Sequence, residues 1–118
     1  MDTGYLSLPE TATVLDAMQE LKQRGEVLEN LHNLFLVEQD DRLVASVPLA
    51  KLLIAPGSTP LKDLASDLLL FVHSGEKRDR IAEMFDKYNL LTLPVVDDHQ
   101  RLIGAITVDD IVALLRQS

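Results

Sequence analysis

The chain has 118 residues, of which 47% are hydrophobic and 25% are charged, and its formal net charge at pH 7 is −8. These values are typical of a globular domain and argue against disorder. The negative charge opposes binding to phosphate backbones, and an aromatic content of 4% leaves few rings on which single-stranded bases could stack. We therefore expect no nucleic-acid partner.

Cysteine is absent, which excludes disulfides, thiolate chemistry and cysteine-based zinc sites and fits a reducing compartment. The segment Met1–Leu8 lacks the basic start and apolar centre of a signal peptide. No apolar run approaches the ~18 residues that a membrane-spanning helix needs. We expect no direct insertion into a membrane.

The first half of the chain predicts an initial strand, a helix, two further strands and a short helix. Thr11 or Thr13 can cap the first helix, and Gly25 is placed to end it. Its core face has helical spacing and consists of Val14, Leu15, Ala17, Met18 and Leu21. The later elements are strands at Leu34–Val37 and Leu43–Val47 and a short helix at Leu49–Leu53, which Pro48 can start.

The second half predicts the same order. Ala55–Pro60 is the strongest breaker and separates the halves, after which Pro60–Ala65 can form one helical turn. An apolar run predicts a strand at Leu68–Val72, and helical spacing predicts a helix at Glu76–Tyr88 with Tyr88 facing inward. Strands then follow at Leu93–Val96 and Leu102–Ile106, and Thr107 can cap a final helix.

The two halves are related by a constant offset. Phe35–Glu38 corresponds to Pro94–Asp97, and Arg42–Ala45 corresponds to Arg101–Gly104, both at a separation of 59 positions. This repeat indicates two β-α-β-β-α units, residues 1–59 and 60–118, neither of which buries its apolar face alone. We expect an α+β fold in which the units pack about a pseudo-twofold axis and leave clefts between them.

The last strand–helix junction carries the motif Gly104-x-x-Thr107-x-x-Asp110. Glycine within a strand leaves room for a ligand, a threonine hydroxyl is a short-range donor, and a carboxylate can accept two hydrogen bonds from a ribose diol. Asp110 also lies in a first helical turn, where the helix dipole favours negative charge. A capped helix after a hairpin accounts for the same residues, and both interpretations stand at this point.

The segment LPVVDDHQRLIGAITVDDIVALL, residues 93–115, resembles the second half of a CBS-domain pair, the cystathionine β-synthase type of regulatory module. The Gly-x-x-Thr-x-x-Asp element is that family's nucleotide-ribose signature. The resemblance extends from about Leu8 to Leu115 and implies a tandem CBS pair that forms a homodimer. The helices Thr11–Arg24 and Glu76–Tyr88 would supply the dimer interface.

Three features are similar to a narrower group, the cytosolic regulatory region of MgtE-type magnesium transporters. They are the insert Arg24–Asn33, the ending Leu43…Leu49-x-x-Leu52-Leu53-Ile54-Ala55, and the segment Lys87–Leu90. In that family the pair lies on the cytoplasmic side of a membrane channel, binds Mg²⁺ at acidic positions and closes the pore when Mg²⁺ is plentiful. Some members also bind ATP.

That resemblance implies a cytoplasmic location, the transmembrane transport domain of a parent chain as partner, and Mg²⁺ and ATP or AMP as ligands. An alternative host remains open. The same module could sense an adenine nucleotide on another ion transporter or on a metabolic enzyme. Catalysis by this chain is not expected, because His32, His73 and His99 lie in predicted connections or turns and no nucleophile motif is present.

The resemblance assigns the nucleotide site to Gly104, Thr107 and Asp110, while the backbone of Leu90–Pro94 and the strand at Leu69–Val72 would hold the base. The corresponding first-half residues are Ala45, Pro48 and Lys51, which offer neither the hydroxyl nor the carboxylate. We therefore expect at most one ribose site.

For Mg²⁺, the resemblance points to Asp79 and Asp110, which match acidic sensing positions of the family. Lys77, Asn89 and Ala113 stand where other members carry acids. One or two carboxylates are enough for an ion that keeps several of its water ligands.

Overall fold

The structure, a computed structural model, describes residues 5–24 and 31–116. Within these ranges the strands are β1 (Ser7–Pro9), β2 (Asn33–Val37), β3 (Leu43–Pro48), β4 (Val72–His73), β5 (Thr92–Val96) and β6 (Leu102–Thr107). The α-helices are α1 (Val14–Gln23), α2 (Arg78–Tyr88) and α3 (Val108–Arg116). Two 3₁₀ helices, Leu49–Leu53 and Leu61–Leu64, lie between β3 and β4.

The strands form two three-stranded sheets with the same topology. In each sheet the first strand runs parallel to the second, and the second runs antiparallel to the third. Both antiparallel ladders shift register near the hairpin, between Leu36 and Val37 in one and between Val95 and Val96 in the other. The predicted α+β fold with two repeats is confirmed. The last helical element of the first repeat, Leu49–Leu53, is a 3₁₀ helix.

The repeats bond to each other reciprocally through their hairpins. The Leu43 N–H donates to the Gln100 carbonyl at 3.0 Å, and the Leu102 N–H donates to the Asp41 carbonyl at 2.9 Å. Both donors and both acceptors are related by the 59-residue offset. This reciprocity confirms that the repeats pack about a pseudo-twofold axis.

Three clusters of buried apolar side chains stabilise the fold. One is formed by the first repeat together with Leu61 of the segment that follows it, one lies within the second repeat, and one joins the two. The joining cluster consists of Phe35, Val37, Leu43, Val96 and Leu102, with Leu69, Phe71, Tyr5 and Ala105 packed against it. Because side chains from both sheets share this cluster, each repeat needs the other to bury its apolar face.

The strand predicted at Leu68–Val72 is wrong for most of its length, since only β4 pairs with β5. The run is apolar because it crosses from one core to another. Leu69 and Phe71 pack against the joining cluster, and Leu70 packs against the cluster of the second repeat.

The segment just after the predicted boundary packs on the first repeat. Leu61 is fully buried in the cluster of that repeat, and its N–H donates to the Ala12 carbonyl at 3.0 Å. The Ser66 N–H donates to the Ser46 carbonyl of β3 at 2.9 Å. The predicted helical turn after Pro60 is confirmed as the second 3₁₀ helix.

The helix ends follow local sequence signals in part. Thr13 is the N-cap of α1, as predicted, and Arg24 is its C-cap, whereas Gly25 lies outside the described residues. Leu15 and Tyr88, predicted to face the core, are 56% and 40% exposed. Each is at the edge of its helix's apolar face, where 3.6-residue periodicity discriminates least. No described helix combines the length and the apolarity that crossing a membrane requires.

Candidate functional site

The predicted ribose residues lie along the junction of β6 and α3. Gly104 is paired with Val95 within the β5–β6 ladder. A Cβ atom built on Gly104 would meet no protein atom within 4 Å, so the space beside this residue is open. The packing of the described residues does not require glycine here, and a ligand can approach the strand closely.

Thr107 and Asp110 form reciprocal hydrogen bonds at the start of α3. The Thr107 N–H donates to Asp110 Oδ2 at 3.0 Å, and the Asp110 N–H donates to Thr107 Oγ1 at 3.3 Å. This capping box satisfies two backbone donors that would otherwise lack partners. Asp110 is exposed, and within the described part of the chain its Oδ1 atom accepts no hydrogen bond. One carboxylate oxygen is therefore available to a ligand.

The same arrangement occurs at α1, where it serves the helix alone. The Thr13 N–H donates to Asp16 Oδ2 at 3.0 Å, and the Asp16 N–H donates to Thr13 Oγ1 at 3.4 Å. Glu10 stands three residues before Thr13, at the place that Gly104 takes in the β6–α3 motif. Capping by itself explains the geometry of Thr107 and Asp110, and the open glycine is what distinguishes this junction.

A cleft of about 520 Å³, here called the junction cleft, opens where the two repeats meet. Leu90 and Pro94 line it from the second repeat, and Pro48 lines it from the first. The predicted ribose residues of β6 and α3 are not among the described residues that line this cleft. The Leu90–Pro94 segment thus lines the junction cleft on one side, and on the other it adjoins the ribose motif, since Thr92 pairs with Thr107 and Pro94 pairs with Ala105 in the β5–β6 ladder.

A short connection links the junction cleft to the ribose motif. The Val108 N–H at the start of α3 donates to the Leu91 carbonyl at 2.9 Å. In the first repeat the Leu49 N–H donates in the same way to the His32 carbonyl at 3.1 Å. The Leu91 segment therefore lines the cleft and also supports the helical turn that carries Asp110.

The two predicted Mg²⁺ ligands are not brought together. Asp79 lies in the first turn of α2, and Asp110 lies in the first turn of α3. The start of α3 is bonded to Leu91, which lies just beyond the C-terminal end of α2. Asp79 is near the N-terminal end of α2, about 14 Å of helix away from that C-terminal end. The described residues include no group of three or more acidic, histidine or cysteine side chains that could hold a metal ion. Each carboxylate by itself suits an ion that keeps most of its water ligands.

A third acidic residue, Asp97, is committed to the β5–β6 turn. The backbone N–H of Arg101 donates to Asp97 Oδ1 at 2.9 Å, and that of His99 donates to the same atom at 2.8 Å. These two hydrogen bonds hold the pKa of the Asp97 carboxyl below its ordinary value. The Arg101 side chain adds a bond from Nε to Oδ2 at 3.1 Å. These bonds fix the turn that carries the contact between the repeats.

Sequence reasoning missed the polar side chains of the junction cleft. They come from both repeats and are His32, Asn33, Ser46, Ser66, Asn89 and Thr92. The 59-residue offset was the available signal, since it relates Asn33 to Thr92 at the starts of β2 and β5.

Comparisons with known proteins agree with this architecture. Residues 1–58 and 61–117 each match the sequence profile of the CBS domain. A magnesium transporter MgtE of Enterococcus faecalis is 30% identical over 115 residues, which are 98% of this chain and 25% of that protein. The chain thus spans about a quarter of the length of that curated relative.

Two solved structures are similar over nearly the whole chain. The cytosolic domain of the Mg²⁺ channel MgtE in complex with ATP has a TM-score of 0.89 and 25% identity, covering 97% of this chain and 46% of that one. The soluble part of a magnesium transporter has a TM-score of 0.90 and 29% identity, covering 98% of this chain and 45% of that one.

Proposed function

The chain belongs to the CBS-domain family, and from this premise we propose that it is a non-catalytic regulatory module of a magnesium or other divalent-cation transporter. The observation that carries the proposal is similarity to the cytosolic part of MgtE over 97% of the chain. In this role the module lies on the cytosolic face of the membrane. Its partner is the transmembrane transport domain of the parent chain, whose transport it controls in response to Mg²⁺ and adenine nucleotide.

The nucleotide, ATP or AMP, is received at the β6–α3 junction. Asp110 Oδ1 and the Thr107 hydroxyl bind the ribose, and Gly104 provides the room beside them. The backbone of Leu90–Pro94, which lies between the junction cleft and α3, holds the base. The free Oδ1 atom and the open space at Gly104 support this assignment.

Mg²⁺ is sensed at Asp79 and at Asp110 as separate sites, each ion keeping most of its water ligands. Because one Asp110 carboxylate oxygen already accepts from Thr107, Asp110 serves either the ion or the ribose and not both at once. Both carboxylates lie in exposed first turns of helices that belong to the same repeat. A ligand acts by preferring one arrangement of the module over another, and it shifts the equilibrium only by that preference. Mg²⁺ at either carboxylate therefore controls transport to the extent that it binds the closed arrangement more tightly.

The nucleotide site is tested by thermal unfolding of the chain with ATP, ADP and AMP, each with and without Mg²⁺. Saturation at ~100 times Kd stabilises a protein by roughly 2.7 kcal/mol, a shift of several degrees for a domain of this size. Asp110→Ala is expected to weaken nucleotide binding by ~10- to 100-fold, because it removes a charge-assisted hydrogen bond.

Asp16→Ala is the matched control for that experiment. It removes the equivalent capping box of α1 and costs a similar ~0.5–2 kcal/mol of stability, but it leaves the nucleotide motif intact. Unchanged nucleotide affinity in Asp110→Ala would contradict the site. An equal loss in both variants would show that stability and not contact is responsible.

The Mg²⁺ site is tested in the same way with Mg²⁺, Mn²⁺ and Ca²⁺. Asp79→Asn should reduce the stabilisation by millimolar Mg²⁺, whereas Asp86→Asn, an exposed carboxylate on the same helix, should not. Equal responses of the two variants would indicate screening of the net negative charge and would refute a site at Asp79.

A homodimer is the expected assembly, with α1 and α2 at the interface. Leu15 on α1 and Tyr88 on α2 are 56% and 40% exposed and would be covered by the second copy. Light scattering at high concentration should give the mass of a dimer, and Leu15→Glu should lower it. A monomeric mass for the unsubstituted chain would contradict this assembly.

A further inference from the structure

We propose that a pair of arginines at the meeting point of the two hairpins binds a tetrahedral oxyanion, such as inorganic phosphate or sulfate, which joins the two repeats. Arg42 follows the β2–β3 turn and Arg101 follows the β5–β6 turn, at positions related by the 59-residue offset. Neither residue belongs to the ribose motif, to the junction cleft or to the proposed Mg²⁺ sites. This inference therefore goes beyond the proposed function.

The backbone places the two arginine side chains next to each other. Arg42 and Arg101 are partners in an antiparallel bridge between the repeats. The hydrogen bonds that join the repeats lie on either side of this pair, at 3.0 Å from the Leu43 N–H and at 2.9 Å from the Leu102 N–H. In a pair flanked in this way the Cα atoms are about 4.5 Å apart, and both side chains leave the ladder on the same face. One small ligand can therefore contact both guanidinium groups.

The two positive charges are only partly compensated within the protein. Like charges directly opposite each other in an antiparallel ladder are destabilising. Arg42 Nη1 is 3.6 Å from Glu38 Oε2, and Arg101 Nε donates to Asp97 Oδ2 at 3.1 Å. Ion pairs between exposed side chains contribute little to stability. Within the described part of the chain, the two terminal nitrogens of Arg101 and the guanidinium of Arg42 donate no hydrogen bond, so both arginines keep donors for a ligand.

A pocket of about 480 Å³, here called the hairpin pocket, is open beside the pair. Its described lining comes from both turns and consists of Asp40, Asp41, Arg42, His99 and Arg101. No apolar side chain is present among these residues, so the contacts that a ring-shaped organic ligand needs are missing. The planar fork of arginine N–H donors matches the oxygens of a phosphate or similar oxyanion. The hairpin pocket is therefore suited to a small anion.

The acidic residues of the hairpin pocket limit the strength of the site. Asp40 and Asp41 are exposed, and their charges oppose an anion. We expect a Kd on the order of millimolar, because water screens the attraction between exposed charges. Asp40 is related by the 59-residue offset to His99, so Asp40→His copies the second turn into the first. This change should tighten binding by roughly fivefold, the effect of one unit charge at close range in water. Unchanged affinity would contradict an electrostatic site.

The test follows both turns by NMR while inorganic phosphate is added at constant pH and at constant ionic strength set with sodium chloride. The Nε–H signals of Arg42 and Arg101 should shift together and saturate with one Kd. Thermal unfolding by itself would not report the site, because phosphate also stabilises proteins through its exclusion from their surface. Arg42→Gln should weaken binding by at least about tenfold, because it removes charge-assisted hydrogen bonds.

Arg24→Gln is the matched control. It removes the same charge from an arginine at the end of α1, where the side chain is paired with Glu20 in a comparable exposed salt bridge. Its Kd for phosphate should equal that of the wild-type chain. Equal weakening in Arg24→Gln and Arg42→Gln would show that net charge and not contact is responsible, and would overturn the proposal.

A free anion and the phosphate groups of a nucleotide share the chemistry that the arginines recognise, and the pair is expected to bind the free anion. Asp110→Ala should therefore bind inorganic phosphate as tightly as the wild-type chain does. Arg42→Gln should likewise leave the ATP affinity unchanged, measured from the Asp110 amide signal. With these two variants, failure of the nucleotide site and failure of the anion site can be distinguished.

The remaining contrary results are equally specific. Shifts that do not saturate at tens of millimolar phosphate, or that are confined to one of the two turns, would overturn an anion that joins the repeats. Loss of phosphate binding in Asp110→Ala, or weaker ATP binding in Arg42→Gln, would assign the phosphate to the nucleotide site and would overturn a separate one.

Discussion

The two repeats have the same strand topology, but they differ at the residues that end their last strand. Main-chain hydrogen bonds related by 59 positions are retained in both, including the Leu49–His32 and Val108–Leu91 pairs. At the end of that strand, however, Pro48 in the first repeat replaces Thr107 in the second. Main-chain hydrogen bonding therefore preserves the pseudo-symmetry, and a few side chains break it.

The consequence is visible in the helical element that follows. Pro48 provides no side-chain cap, and the chain continues as a five-residue 3₁₀ helix. Thr107 and Asp110 provide a capping box, and the chain continues as the nine-residue helix α3. Since helix initiation depends on satisfying the first free N–H groups, the difference between the repeats begins with their caps.

The largest effect is expected where the repeats depend on each other most. Phe35 is 1% exposed in the joining cluster, and its ring lies edge-on to that of Tyr5 with centroids 6.4 Å apart. Phe35→Ala should lower the free energy of unfolding by about 3–5 kcal/mol, measured by urea denaturation. Val112→Ala, at a 41% exposed position, is the control and should change it little. A loss below about 1 kcal/mol for Phe35→Ala would show that the repeats are largely independent.

Substitutions in the first repeat can introduce the motif of the second repeat. Pro48→Thr combined with Lys51→Asp creates a capping box at the first 3₁₀ helix, and we expect a gain of about 1 kcal/mol in stability. Adding Ala45→Gly completes the nucleotide motif. Titration with ATP should then give about two nucleotides per chain where the wild type gives one, because both repeats now present a ribose site.

Two results bear on that transfer. A stoichiometry that rises only when Ala45→Gly is present would show that the open glycine, and not the capping pair, defines the site. A stoichiometry that stays unchanged in the triple variant would show that the motif does not suffice to bind a ribose on this backbone.

The fold could be predicted from the sequence because its signals are local and repeated. Alternating apolar and polar runs placed β2, β3, β5 and β6, and the offset of 59 predicted their pairing about an axis. The strand predicted at Leu68–Val72 failed because an apolar run records burial and not hydrogen bonding. Leu69, Leu70 and Phe71 are half-buried because the segment crosses between two cores, and Leu68 is exposed.

The candidate site was less predictable than the fold. The motif at Gly104, Thr107 and Asp110 was readable, since its residues are close in sequence. The junction cleft is assembled from four separate stretches of chain, and its lining has no sequence signature. Spacing rules find residues on one element, but a cleft between repeats depends on how the elements pack.

A smaller effect is expected at the two hairpins, which share a strained backbone but not a residue type. Gln100 and Asp41 have φ angles of 66° and 64° and are related by the 59-residue offset. Gln100→Gly should stabilise the chain by up to about 1 kcal/mol, because glycine adopts this conformation freely. Asp41→Gly should gain less, since aspartate tolerates the left-handed region better than glutamine. Equal gains in stability for the two variants, measured by thermal unfolding, would contradict this ranking.

The acid sensitivity of the same turns is expected to depend on Asp97. Backbone N–H groups lower the pKa of Asp97, so its folded value lies below the ~3.9 of an unfolded aspartate. The carboxylate therefore contributes stability above about pH 4, and this contribution is lost as pH falls through the lowered pKa. Asp97→Asn should flatten the dependence of stability on pH between about pH 4 and pH 2, measured by urea denaturation.

The first repeat provides the converse experiment. Glu38 is related to Asp97, and its contact in this turn is a salt bridge to Arg42 at 3.6 Å between two exposed side chains. Glu38→Asp shortens the side chain by one methylene, so that its carboxylate can bend back to the N–H groups two and four residues later, as Asp97 does. The variant should therefore lose more stability than the wild type below about pH 4. If its pH profile matches that of the wild type, the register of the first turn and not its side-chain length keeps the two hairpins different.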